Sequence, residues 1–242
     1  MVKQVENEVM YYYDFHPTLE DLMGETAVHA ALVHYLMEVL TWLFRGQLCA
    51  IHENLNFYQT LEEDEQPLAP DIAVIKGVAY EYIRSWKVWQ TGIVPHVVFE
   101  IASQETWKRD LEEKPLLYAQ MGVQEYFAYD PNEPPLRKKT PCKLYGWQLN
   151  KARGVMREMP IGPDGSLWSS QLDSFLVPDG VYLRLYNSYG KLRLTRAEAE
   201  AEGRWAEAQR AEAAIRQAEE ERKRNEALAE KLRSLGIDPD QI

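Results

Sequence analysis

No apolar run in this 242-residue chain approaches membrane-spanning length, so a spanning helix is not expected. The opening MVKQVENEVMYYYDFHP has no apolar stretch after its early lysine, which argues against a secretory leader. Cysteine is scarce: Cys49 and Cys142 stand far apart, match no metal-ligand spacing, and exclude a disulfide framework or a zinc site. A reducing, cytoplasmic setting is the expectation. Basic residues are also short, 27 against 38 acids for a net charge of -11, which excludes sequence-independent adhesion to nucleic acid through many lysines and arginines. No helix-turn-helix, zinc finger or basic stripe is legible, and no glycine-rich loop follows a strand, so a Rossmann-type nucleotide site is rejected.

What remains is 45% hydrophobic, enough for one large domain with an appendage. Apolar residues at Leu32, Leu36, Val39, Leu40 and Leu43 predict a buried helix that ends near Gly46. LCAIHENLNFYQ alternates as a strand, DIAVIKGV reads as a second, and HVVFEIAS, almost wholly apolar, as a central third. KRDLEEKPLLYAQMGV predicts a helix closed by Gly122, and EYFAYDP a fourth strand. KLYGWQLN, MREMPIGPDG and VYLRLYNSYGKLRL read as an antiparallel extension with polar turns. The order gives an α/β fold: a mixed sheet flanked by helices, with an antiparallel β extension and a long C-terminal helix.

Composition shifts near Thr195, and residues 195–235 are nearly all Ala, Glu, Arg, Lys and Gln without proline. The predicted organisation is a domain over 1–194 and a helical tail over 195–242. Leu194, Ala201, Ala208 and Ile215 recur at heptad spacing, with Arg204, Arg222 and Asn225 as interruptions. A self-associating coiled coil and a solvated single helix both fit.

Two carboxylates stand out. Asp71 opens the second strand after Pro70, and Glu100 lies inside the third between Phe99 and Ile101. Burying an ionised glutamate there is costly unless a cation or hydrogen bonds compensate. Acids at the ends of adjacent strands suit one or two Mg²⁺ or Mn²⁺ ions, with waters and phosphate oxygens as the other ligands. Capping of a helix or pairing with an arginine is the plainer account of either acid.

PDIAVI followed by PHVVFEIASQETWKRDLEEKPLLYAQMGVQEYFAYDP resembles the bacterial putative restriction endonuclease family of the PD-(D/E)xK nuclease superfamily, over about residues 15 to 195. The resemblance implies a restriction endonuclease-like fold, a DNA substrate, and Asp71 and Glu100 as metal ligands. The superfamily lysine two positions after the glutamate is replaced here by Ala102, and the basic group maps onto Lys114 instead. Asp110, Lys114 and Tyr118, spaced by four, share one helix face. Pro115 leaves two options: a helix from near Lys108 with a strained turn, or one starting at Pro115 with Lys114 as cap and pointing elsewhere.

His96 stands where family members often carry an acid, and alternation puts residues 96, 98 and 100 on one face, so it reads as a neighbour of the site or as a half-buried polar residue. Glu25, four before His29, suits an extra acid ligand or a surface cap. Trp86 and Trp89 suggest base stacking but read as core or interface. Two functions follow: a Mg²⁺-dependent endonuclease acting on DNA, or a degenerate nuclease-fold scaffold that oligomerises through residues 195–235. An acidic chain is compatible with the first, because bound cations supply positive charge where phosphate sits.

Overall fold

Helix α1 (Ala27–Leu43) buries Leu32, Val33, Leu36, Val39 and Leu40, a stripe at three- and four-residue spacing that lies against a β-sheet. The computed structural model describes residues 27–61, 66–138 and 142–236. Glu25 lies outside them. Two units make up the chain, Met1–Arg193 and Leu194–Ile242.

The first unit is a mixed α/β structure. Its main sheet contains β1 (Cys49–Glu53), β3 (Ile72–Lys76), β5 (Val97–Ile101), β6 (Glu125–Tyr129), β7 (Leu144–Asn150) and β8 (Val155–Glu158), in that spatial order. All neighbours run antiparallel except β5 and β6. A parallel pair needs a crossover, and α3 (Trp107–Glu112) with α4 (Lys114–Met121) supplies it. That crossover lays its buried face on the sheet surface opposite α1: Tyr118, Met121 and Val123 pack with Val98, Tyr126 and Trp147. β3, β5 and β6 are therefore covered on both faces, which accounts for their almost continuous burial.

The predicted first strand is in fact two. Asn54 adopts a left-handed φ of 49°, the chain turns, and β2 (Asn56–Tyr58) leaves the main sheet to pair in parallel with β4 (Ser85–Lys87). A short helix, α2 (Val88–Thr91), follows β4. The predicted antiparallel extension also divides. β7 and β8 continue the main sheet, whereas β9 (Leu167–Ser169), β10 (Ser174–Asp179) and β11 (Tyr182–Tyr186) form a separate three-stranded sheet. Leu176, Leu183 and Leu185 of that sheet join the α1-side core. Buried Glu125 pins the two sheets together by accepting from the Ser169 hydroxyl and from the Ser170 amide and hydroxyl at 3.0 and 2.6 Å.

The second unit is α5 (Arg196–Ser234), opened by a capping box in which Thr195 and Glu198 satisfy each other's backbone amides. None of its residues is buried. Among the described residues, no helix is long and apolar enough to cross a membrane.

Candidate active site

Register brings the two acids together. In the β3–β5 ladder Ile72 pairs with Phe99 and Ala73 with Val98, so one further step sets Asp71 opposite Glu100. Directly opposed residues share a face. Ala73 and Val98 both pack on the α4 side, and period-two alternation places Asp71 and Glu100 on that same side. They line one cleft of about 690 Å³ at the end of the sheet, with His29, Ser103, Thr106, Lys114 and Asn132 around them.

Each carboxylate is held. Asp71 Oδ2 accepts from the Ile101 amide at 2.5 Å, and His29 Nε2 of α1 lies 3.3 Å from Oδ1. Glu100 Oε1 accepts from the Tyr118 hydroxyl at 2.6 Å and lies 2.8 Å from Lys114 Nζ. Both of these Glu100 contacts fall on Oε1. Lys114 is shared: its Nζ also lies 2.7 Å from Oδ1 of Asp110, a carboxylate only 1% exposed.

The break at Glu113 makes this sharing possible. α3 ends before Pro115 can disturb it, because the proline's missing amide and ring fall in the first turn of a new helix, where no intrahelical donor is needed. Lys114 is thus the first residue of α4, neither mid-helix nor a cap pointing elsewhere. It still reaches back to Asp110 four residues earlier and across to Glu100.

Electrostatics follow from this crowding. Burial pushes the Glu100 carboxyl up to about 7; Lys114 opposes the rise, while Asp71 and Asp110 add to it. Burial works against the charge on Lys114, but Glu100 and Asp110 together outweigh it and hold its pKa above the ordinary lysine value. Burial, then the neighbouring Glu100, raise the Tyr118 phenol well above its usual range, so it stays a donor.

Asp71, Glu100, Asp110, Lys114 and Tyr118 therefore converge, and His96 does not. It shares their face but sits four residues from Glu100, about 13 Å along the strand. There its Nδ1 accepts from the Lys76 amide. Burial, Lys76 and Lys151 all lower its pKa. Three contributors were not legible as such in the sequence. His29 was noted only beside Glu25, yet it touches Asp71. Ser103 and Thr106 cap each other reciprocally through side chain and amide, at 3.1 and 3.2 Å, and shape the cleft rim; the S-x-x-T spacing was the available signal.

A family model described as "Putative restriction endonuclease", named Uma2, matches residues 3–141, more than half of the chain. The chain belongs to the Uma2 family. The crystal structure of a putative nuclease from Anabaena variabilis ATCC 29413 resembles this Uma2 chain with a TM-score of 0.41 and 13% identity, covering 61% of this chain and 75% of that one. No curated protein matches the sequence.

Among the described residues, no group of three or more His, Cys, Asp or Glu side chains is arranged to hold a metal ion. Two carboxylates nonetheless suit Mg²⁺, which keeps several waters and takes one or two protein carboxylates together with substrate phosphate oxygens. The donor set of this Uma2 site is hard oxygen from acids that repel one another.

Proposed function

We propose that this Uma2-family protein is a divalent-cation-dependent endonuclease that hydrolyses phosphodiester bonds in DNA. The observation that supports this most is the β3–β5 register, which puts Asp71 and Glu100 opposite one another on one face, with Lys114 2.8 Å from Glu100.

Asp71 and Glu100 would hold Mg²⁺ or Mn²⁺, which would supply Lewis-acid stabilisation to the charge gathering on phosphate. Lys114 remains protonated, so it serves as a fixed positive charge rather than as a base. Asp110 holds Lys114 in place, and Tyr118 fixes Oε1 of Glu100. A water oxygen forms the new bond to phosphorus and gives up its proton to solvent, while the leaving oxygen departs with the electron pair of the broken P–O bond and takes a proton from solvent. Because Ala102 occupies the usual lysine position, the cation enters from α4 instead of from the strand. We further propose that α5 brings copies together through its weak apolar seam.

Titration calorimetry should show Mn²⁺ or Mg²⁺ binding to the parent and none to Asp71→Asn or Glu100→Gln, with circular dichroism unchanged. Binding retained in both variants would refute the assignment of the acids. In a plasmid-nicking assay, Lys114→Ala should lose about 10²- to 10³-fold in rate, the usual effect of removing one preorganised charge-stabilising group.

A further inference from the structure

The excursion between β3 and β5 exposes aromatic side chains that the core does not use. Tyr82 is 96% exposed and Tyr80 51%. Trp86, by contrast, is buried, and its indole donates to the Ile93 carbonyl at 2.8 Å, so it packs rather than presents a surface.

Tyr80 is seated, not loose. Its ring stacks on His52 with centroids 4.9 Å apart and planes 22° apart, and Tyr82 meets it edge-on at 5.3 Å. His52 pairs with Ala73, two residues from Asp71 and on the same face of the sheet. Two residues along a strand span roughly 7 Å. Tyr80 thus stands on the sheet face that carries the acids, one strand over from Asp71. Burial lowers the His52 pKa, so a neutral imidazole forms the floor beneath Tyr80.

Two cations follow the tyrosines within the same excursion. Arg84 and Lys87 line a hollow of about 730 Å³ with Trp86, opposed by one acid, Glu81. Among the described residues neither Arg84 nor Lys87 takes part in an ion pair, although the chain as a whole is strongly acidic. Lys87 Nζ instead lies 6.0 Å from the ring centroid of half-exposed Trp89. Exposed rings and nearby cations complement the two faces of single-stranded DNA: bases for stacking, phosphates for charge.

We propose that Tyr80 and Tyr82, with Arg84 and Lys87 beside them, form a stacking platform for unpaired nucleotides of the DNA strand whose phosphodiester enters the Asp71–Glu100 cleft. This rests on the nuclease reading of that cleft. A strand gripped there is an unpaired one, so the substrate class is single-stranded DNA or duplex with a locally opened segment.

The test is fluorescence anisotropy of a labelled mixed-sequence single-stranded DNA oligonucleotide with the full chain in EDTA, where no cleavage intervenes. Tyr82→Ala should weaken binding about 5- to 150-fold, the range for loss of one aromatic–base stack, whereas Tyr82→Phe should bind like the parent. Tyr82 is almost wholly exposed, so its removal leaves the fold intact; Tyr80→Ala serves as a second variant checked by circular dichroism. Unchanged affinity in both alanine variants would overturn the platform while leaving hydrolysis standing. A parent chain that nicks duplex plasmid yet binds no single strand would do the same. Cleavage that survives Asp71→Asn would instead sink the cleft's assignment, and with it the route by which the strand reaches it.

Discussion

Glu100 carries the pH dependence of the site. Its folded pKa of about 7 exceeds the ordinary value of 4.5, so between those values the folded chain keeps a proton that the unfolded chain has lost. Stability contributed by this group is therefore full below about 4.5, falls as pH rises toward 7, and stays lost above it. Glu100→Gln carries no charge at any pH and should remove that slope. Urea denaturation at pH 5 and pH 8 should show the variant gaining on the parent by up to about 3 kcal/mol; parallel changes in the two proteins would place the titrating group elsewhere. Cation affinity of the parent should rise over the same window, because the ligand must lose its proton to bind. The acids were legible because a carboxylate inside an apolar strand demands a partner. Period-two alternation also put His96 on the right face, but alternation carries no information about which end of a strand borders the cleft. Glu125 escaped notice because an acid at a strand's start after Gln124 looks solvated, and only the fold brings Ser169 and Ser170 to it.

Among the elements, the helices and central strands follow the hydrophobic periods closely, and the departures have local causes. Asn54 splits what alternation reads as one strand, since an asparagine tolerates left-handed φ and the side-chain pattern does not record it. The division of α3 from α4 was marked by Pro115, although its consequence for Lys114 depended on which turn the proline occupied. The second sheet was invisible as a separate layer because its strands share the alternation of the first. One residue did mark the contact: Gly146 in β7, where an added Cβ would lie 2.6 Å from Leu167 Cδ1 and 3.0 Å from the Phe127 ring. Gly146→Ala should accordingly cost about 1–3 kcal/mol in urea denaturation, through overpacking where β9 meets the main sheet. A variant as stable as the parent would mean that Leu167 has room to move aside.

For the whole molecule, the sequence separates a mixed sheet from an alanine-rich helix by composition alone, but it leaves the role of the helix to experiment. α5 rises about 58 Å at 1.5 Å per residue, with every residue wet or half-wet. Pairs such as Arg196–Glu200 and Arg222–Glu226 support it locally by only a few tenths of a kcal/mol each. Trp205, Ile215 and Leu228 are left exposed. Light scattering should give the full chain a mass above that of a monomer and the chain without residues 195–242 a monomer mass; two monomer masses would end the case for assembly through α5. The antiparallel ladder that aligns the acids has a further consequence for how such chains can drift. The 77–95 excursion lies outside the β3–β5 pairing, so a residue gained or lost there does not shift the register of the two acids. A single residue gained within 72–74 or 97–99 shifts parity and turns one acid toward α1. Length variation here should obey an odd–even rule, readable in a scan of one- and two-residue insertions.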